Sequence, residues 1–384
     1  MSFFSGAPFF GAVFIIAMLA LFLGYTERPL KWLNVVTSIL VVGFVLVEKP
    51  KQLFFFLMFY IIELVLVKGY LKIRTEKGRQ VVTYRIAVFL SIVPLILCKA
   101  GEVVCLYHIK WFQFVGISYL TFRCVQMIIE SYDGVIKEIK VLDFTIFLLF
   151  FPTFSCGPID RSRRFVEDFH KVYKRQEYLE LFGIGLEKIF LGLVYKNVIA
   201  TLFFQIMGEL AKETMVEKFI HIYSYGFYMF FDFAGYSLMA IGVAYMLGIK
   251  VPENFKKPFL SVDMKDFWAR WHISLSEWFR DFIFSRFIML SMKKKWFPTR
   301  LFGASVGFII NMSVMGLWHG PSVHYILYGL YHGVLLALTE IYQKKSKFYK
   351  RNKKKKVYRF VSWFITFQLV MFGFLIFSGQ LSTY

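Results

Sequence analysis

The sequence predicts an all-α, polytopic membrane protein, and three observations predict it. Hydrophobic residues fill 58% of the 384 positions, Phe alone 48 of them, and the mean hydropathy is +0.57. The apolar residues gather in continuous runs of about 20, long enough for a ~30 Å hydrocarbon core. Alternating short segments, the mark of a membrane barrel, are not the pattern here. The 46 Lys and Arg, against 25 Asp and Glu, collect between the runs, as short cytoplasmic loops do. The net charge of +21 is therefore read as topology and not as a nucleic-acid footprint.

In chain order, apolar runs fall near 8–24, 30–47, 51–67, 82–97 and 112–129, then near 178–207, 219–249, 301–318, 322–341 and 357–378. That predicts about ten transmembrane helices. MSFFSGAPFF at the start lacks a basic n-region, so the first run reads as an uncleaved anchor. Residues 144–158, FTIFLLFFPTFSCGP, are too short and too broken by Pro152, Gly157 and Pro158 to span. They read as re-entrant, or as a helix that stops partway. The segment 68–79 carries Lys68, Lys72, Arg74, Lys77 and Arg79. The segment 342–359 carries ten Lys or Arg and no acid. Both should be cytoplasmic, which places both termini outside and residues 250–300 inside. No repeat or linker divides the chain. It reads as one domain: N-terminal spans over 1–99, a core over 100–340, and a polybasic loop with the last span over 341–384.

Residues 258–282, PFLSVDMKDFWARWHISLSEWFRDF, are unlike the rest. At helical spacing Trp271, Leu275, Trp278 and Phe282 share one face, and Arg270, Ser274, Glu277 and Asp281 another, which predicts an amphipathic helix. Asp263 and Asp266 suit its start. The next stretch, FIFSRFIMLSMKKKW, predicts a cytoplasmic-side helix exposing Phe284, Phe287 and Ile288, rimmed by Lys293, Lys294 and Lys295. Apolar anchors beside a basic rim suit an acidic protein partner.

His272 lies in that unusual segment, and His319 closes the apolar run 301–320 within GLWHG. A histidine at membrane depth is costly and commonly functional. Neutral imidazole can take a proton from a hydroxyl near neutral pH, which suits acyl transfer. Either residue could equally be a hydrogen-bonded structural group. Asn311, two turns before His319, and Asp232, an acid within an apolar run, are candidate lining residues, as are Trp271, Ser274 and Trp318. Arg85, Arg123 or Arg270 could pair with Asp232. His324 and His332 read as helix–helix hydrogen bonders, and His108, His170 and His221 as ordinary loop or edge residues. Cys98, Cys105, Cys124 and Cys156 match no metal or disulfide spacing. No H-E-x-x-H or G-x-S-x-G is present, so no metal and no serine acyl-enzyme is expected.

WARWHISLSEWFRDF together with GLWHG resembles the membrane-bound O-acyltransferase superfamily, whose paired histidines correspond to His272 and His319. FPTFSCGPIDRSRRF (151–165) and DFAGYSLMAIGVAYMLGIKVPENFKKPF (232–259) resemble its bacterial branch. The run IFSRFIMLSMKKKW replaces the Y-x-P-L-G-G type of continuation usual in polysaccharide O-acetylases. It points to the branch that moves D-alanine onto teichoic acids. The resemblance implies a ring of helices around a central tunnel in a bacterial plasma membrane. It implies a cytoplasmic carrier protein bearing D-alanine on phosphopantetheine, with no cofactor bound to this chain itself. It also implies a teichoic-acid acceptor outside and membrane helper proteins. A polysaccharide O-acetyltransferase is the alternative. A transporter or flippase is a more distant one, since no two related halves are visible.

Overall fold

The computed structural model describes residues 3–103, 112–211 and 213–381. His108 and Cys105 lie outside the described residues. Among those described there is no β-strand. The N-terminal helices are α1 (Gly6–Tyr25), α2 (Lys31–Val47), α3 (Pro50–Lys77), α4 (Val81–Val103), α5 (Ile117–Tyr132) and α6 (Val141–Leu149). Next come α7 (Ser162–His170), α8 (Arg175–Leu193), α9 (Thr201–Glu209) and α10 (Met215–Met246). The short α11 (Met264–Trp268), α12 (Ile273–Phe279) and α13 (Ser285–Lys293) precede α14 (Arg300–His319), α15 (Val323–Lys345), α16 (Lys347–Asn352) and α17 (Lys356–Ser378).

All ten apolar runs fold as helices. By length and composition, seven described helices can cross a membrane, α8 and α9 counting as one 35-residue span. The others fall short for identifiable reasons. α2 has 17 residues. α5 has 16, and fifteen of them are buried. α15 is long enough but carries His324, His332, Glu340 and two terminal lysines. The basic segment 68–79 is not a loop: α3 runs on to Lys77, with Arg74 and Lys77 in its last turn, where cations oppose the helix dipole.

The chain forms two compact units, Met1–Val194 with Gly235–Pro252, and Tyr195–Ala234 with Glu253–Tyr384. Two of the boundaries fall within long helical stretches, at 194/195 and 234/235, and the third in the segment between α10 and α11.

The first unit is built on α5. Buried on nearly every face, it must satisfy its polar side chains internally. Arg123 donates from Nη1 to the carbonyls of Phe147 (2.6 Å) and Leu148 (3.2 Å), and from Nη2 to Thr153 O (2.6 Å) and Oγ1 (2.7 Å). The first two are carbonyls left open where α6 stops after nine residues; Thr153 closes the single 3₁₀ turn that follows, entered through Pro152, which has no N–H. The partway helix is thus capped by a buried guanidinium. The motif after it is also structural. Asp160 Oδ1 accepts from Arg161 N (2.6 Å) and Arg164 Nε (2.9 Å), and Asp168 Oδ2 accepts from Lys250 N (2.8 Å). Burial raises the Asp160 carboxyl above its ordinary range, and the Arg164 guanidinium opposes that. Cys156, in the same run, is exposed. α8 meets the second half of α10 through facing glycines. A Cβ on Gly185 would lie 2.7 Å from the Gly242 carbonyl oxygen, and one on Gly192 the same distance from that of Gly235.

In the second unit α14 and α15 form an antiparallel hairpin with a three-residue connection. Their backbones touch. A Cβ on Gly316 would sit 2.4 Å from the Tyr325 carbonyl oxygen, and one on Gly329 2.4 Å from that of Met312. A Cβ on Gly333 would lie 2.8 Å from the Ile309 Cα. Gly329 and Gly333 form a small-xxx-small pair of the kind that lets membrane helices approach to backbone contact.

The segment 258–282 departs from the single amphipathic helix expected. α11 has five residues; Asp263 caps it, accepting from the amides of Lys265 and Asp266. The chain then breaks, and His272 takes left-handed backbone, φ 44° and ψ 53°. Only after it do α12, a π turn over Arg280–Phe284 and α13 follow. Positive φ costs a non-glycine residue stability, so this break is imposed by packing. Trp271 is the anchor: its ring lies 4.9 Å from Phe374, 5.0 Å from Phe255 and 5.6 Å from Phe267.

The proposed outward face of α13 is turned differently as well. Phe284 stacks on Phe308 at 4.6 Å. Phe284 and Ile288 fill the space over Gly307, where a Cβ would come within 3.1 Å of both side chains. Phe287 lies against Trp296 and Phe297. All three are half-buried. The exposed apolar residues are Met289, Leu290 and Met292, followed by exposed Lys293, Lys294 and Lys295.

Candidate active site

His272 is 4% exposed. Its ring meets the edge of Phe233 at 4.8 Å. The turn that presents it is held by Asn254, a fully buried residue in the preceding segment. Asn254 O accepts from Ile273 N (2.9 Å) and its Oδ1 from Ser274 Oγ (2.5 Å). Lys256 N also donates to Arg270 O at 3.0 Å. Residues 254–256 thus clip the His272 turn from both sides. Asn254 was not singled out from sequence. Little marks it there: in PENFKKPF it is one polar residue among Glu253, Lys256 and Lys257.

His319 ends α14, half-buried. Its ring lies 4.6 Å from Trp318, 5.1 Å from Phe377, 5.8 Å from Tyr325 and 6.2 Å from Tyr328. One face of α17 joins the two histidine environments: Phe374 packs on Trp271, beside His272, and Phe377, one turn on, packs on His319. Burial holds the His272 imidazole well below its ordinary value, at about 3, and the neighbouring His319 adds to the effect. His272 therefore stays neutral at physiological pH. The sequence leaves the two histidines on opposite sides of a span. The structure brings them close because the 258–282 segment packs onto α17 and α15.

The remaining expected residues separate into roles. Trp271 is enclosed by Phe230, Phe255, Phe267 and Phe374 and is packing, not lining. Ser274 is bonded to Asn254. Asp232 pairs with Lys196 on the neighbouring helix, not with Arg85, Arg123 or Arg270; Arg123 caps α6 and Arg270 pairs with Asp266 at 2.7 Å. Asn311 is buried on α14, and its Oδ1 has no hydrogen-bond partner among the described residues. Among the described residues no three His, Cys, Asp or Glu side chains gather as metal ligands.

His332 differs from the helix–helix hydrogen bond expected of it. It is fully buried on α15, and neither ring nitrogen has a hydrogen-bond partner among the described residues. It is held by rings instead: Tyr328 at 4.5 Å, Trp268 at 5.2 Å and, stacked, Phe267 at 6.3 Å. Its room comes from Gly373, where a Cβ would lie 2.5 Å from Nε2. Tyr328 also touches His319, so His332 supports the wall of the site. Gly373→Ala is expected to push this ring stack outward, at about 1–3 kcal/mol for overpacking. A lowered thermal midpoint in detergent together with slowed transfer checks it. Wild-type values of both would mean that the stack relaxes freely.

The sequence comparisons bear on this site directly. The model of the membrane-bound O-acyltransferase family matches residues 33–379, which include both histidines, Asn254 and the α17 face. The chain belongs to the membrane-bound O-acyltransferase family. It is 39% identical to the teichoic acid D-alanyltransferase of Bacillus subtilis (strain 168), with 98% of each chain covered. It is 40% identical to that of Streptococcus thermophilus, covering 98% of this chain and 95% of the relative. It is also 32% identical to a probable alginate O-acetylase of Pseudomonas syringae, over 69% of this chain and 49% of that protein. Like the rest of its family, this membrane-bound O-acyltransferase is a multi-pass membrane enzyme that transfers acyl groups to hydroxyls.

Proposed function

We propose that this enzyme transfers D-alanine to a hydroxyl of teichoic acid outside the cell. The donor is a D-alanyl thioester on the phosphopantetheine arm of a small carrier protein at the cytoplasmic face. The observation that carries this reading is coverage. The teichoic acid D-alanyltransferases align over nearly their whole length and this chain's, whereas this chain spans about half of the alginate O-acetylase. The membrane is bacterial, basic loops face the cytoplasm, both termini lie outside, and the helices ring a narrow tunnel. Membrane helper proteins would serve the same pathway.

The chemistry needs a base, a way to keep the reacting groups in place and little water. His319 is the base: it is the less buried histidine and stands at a helix end, among aromatic rings. It takes the proton from the acceptor hydroxyl as the oxygen attacks the thioester carbonyl. A carbon–oxygen bond forms, the carbon–sulfur bond breaks, and the imidazole passes the proton to the leaving sulfur. His272, buried and held by the Asn254 clip, instead hydrogen-bonds and orients the reacting groups. The deciding experiment gives the purified enzyme D-alanyl and acetyl thioesters of carrier and small thiols, with teichoic acid or an uncharged polysaccharide. D-alanylation of teichoic acid is expected. Preferential acetylation of the polysaccharide would instead support the O-acetyltransferase reading.

His272→Asn keeps a residue that tolerates left-handed backbone and removes the imidazole. Transfer should fall about 10²-fold, the scale of losing one positioned hydrogen-bonding group at a reaction centre, with the thermal midpoint little changed. A rate within threefold of wild type would take His272 out of the site.

The carrier would dock on α13. Met289, Leu290 and Met292 offer flexible apolar surface beside Lys293–Lys295. Ile288 is unsuited to test this, because it packs over Gly307. Met289→Asp should weaken carrier binding at least tenfold, and glutamine at all three lysines should mainly slow association and flatten its salt dependence. Carrier capture unaffected by Met289→Asp, at normal membrane level, would move the docking surface elsewhere.

A further inference from the structure

The second unit holds a cavity of about 830 Å³ where α15, α16 and the start of α17 converge with the turn at 262–264. That is within the size range of small-ligand sites. The rim is basic: Lys354, Lys355 and Arg359 line it, within a stretch from 342 to 359 that holds no acid. The acids beneath it are already occupied. Glu340 pairs with Lys265 at 2.6 Å, and Asp263 caps α11 and accepts from Gln343 Nε2 at 2.9 Å. Asp263 keeps its single negative charge against the four cations Lys353, Lys354, Lys355 and Arg359 of the lining, so the field at the rim stays positive. Tyr349 and Tyr358 stand in the wall, the latter donating to Tyr342 at 3.3 Å. Below the rim the lining turns apolar along one helix: Val361, Ile365 and Leu369. Val361 and Ile365 remain 48% and 52% exposed, on α17, which is long and apolar enough to span the membrane.

We infer that this cavity binds one molecule of an anionic glycerophospholipid, phosphate at the basic rim and acyl chains along Val361 and Ile365. A basic rim continuous with an outward-facing apolar strip on a membrane helix matches the two ends of such a lipid, and matches neither a soluble anion nor a wholly apolar ligand. Lysines and arginines near a membrane surface attract anionic lipid cumulatively. A concave site adds the Tyr342 hydroxyl, which accepts from Tyr358 and keeps its own proton to donate to a phosphate oxygen. The site lies apart from His319, and the inference holds whatever the acyl acceptor is. It also bears on the reaction: Asp263 and Met264 line the cavity and begin the segment that ends in His272, so the lipid would brace that segment.

The test uses the full-length enzyme in detergent, followed by native mass spectrometry. Dioleoyl-phosphatidylglycerol and dioleoyl-phosphatidylcholine are titrated separately. One phosphatidylglycerol is expected to be retained at concentrations where phosphatidylcholine is not. Lys354→Gln/Lys355→Gln/Arg359→Gln should weaken that binding on the order of 10²-fold, with phosphatidylcholine binding unchanged. Val361→Glu, facing outward and tolerable to the fold, should weaken it too by opposing the acyl chain. Millimolar inorganic phosphate should not displace the lipid. Equal retention of the two lipids, unchanged binding in the triple variant, or displacement by phosphate alone would each overturn the inference.

Discussion

His319→Ala is expected to reduce acyl transfer by about 10²–10⁴-fold, the usual range for a lost general base. The geometry makes this the largest functional effect in the chain. His319 is the last residue of α14, half-buried and ringed by Trp318, Tyr325, Tyr328 and Phe377. Neither of the two buried imidazoles on this side of the unit is placed to replace it. His272 is held neutral at about 3, and His332 is sealed behind Tyr328. The alanine leaves a small gap at a helix end, so folding should survive. The measurement is transfer of D-alanine in proteoliposomes alongside thermal unfolding in detergent. A variant with a wild-type midpoint and more than a tenth of the wild-type rate would remove His319 from the base role.

Arg123→Ala should have the largest effect on stability, about 3–5 kcal/mol. Its guanidinium makes two hydrogen bonds to the end of α6 and two to Thr153 in the turn that follows. Charged hydrogen bonds contribute about 1.5–3 kcal/mol each, and a buried carbonyl left open costs about 1–3 kcal/mol. The sum is trimmed because carbonyls near a chain break can partly relax. Arg123→Lys should rescue little. A single ammonium cannot reach both sides of the break as the planar fork does. Protein level in the membrane and the midpoint of detergent unfolding report the loss. A midpoint within about 2 °C of wild type would show that α6 finds other partners.

Much of the fold was legible because lipid solvation writes itself into composition. Each of the ten apolar runs is a helix, and FTIFLLFFPTFSCGP does stop partway. What stayed hidden were pairings. Arg123 could be read as a partner for Asp232, because sequence shows that a buried charge needs a partner without showing where one lies. Three of its four bonds go to backbone carbonyls, which every sequence contains. The helix period over 268–282 is real, yet the chain breaks at His272. Periodicity reports which residues prefer burial and carries no record of a left-handed φ forced by Asn254 and the packing of Trp271. On α13, Phe284 and Ile288 look exposed until Gly307, nineteen or more residues on, supplies the space they fill. The two histidines were visible as motifs. Their nearness was not, since it depends on α17, whose Phe374 and Phe377 belong to no motif.

The glycine contacts between α14 and α15 also decide what can pass. With the Gly316 and Gly329 backbones in direct contact, no acyl tail and no water file fits through that seam. His319 stands three residues beyond Gly316, just past the seal. A lipid in the surrounding leaflet cannot slip sideways between these helices to reach the imidazole as an unwanted nucleophile. Any route to the base along this wall runs past the end of the hairpin. The same contact that fixes the histidine in place thus also closes one lateral route to it.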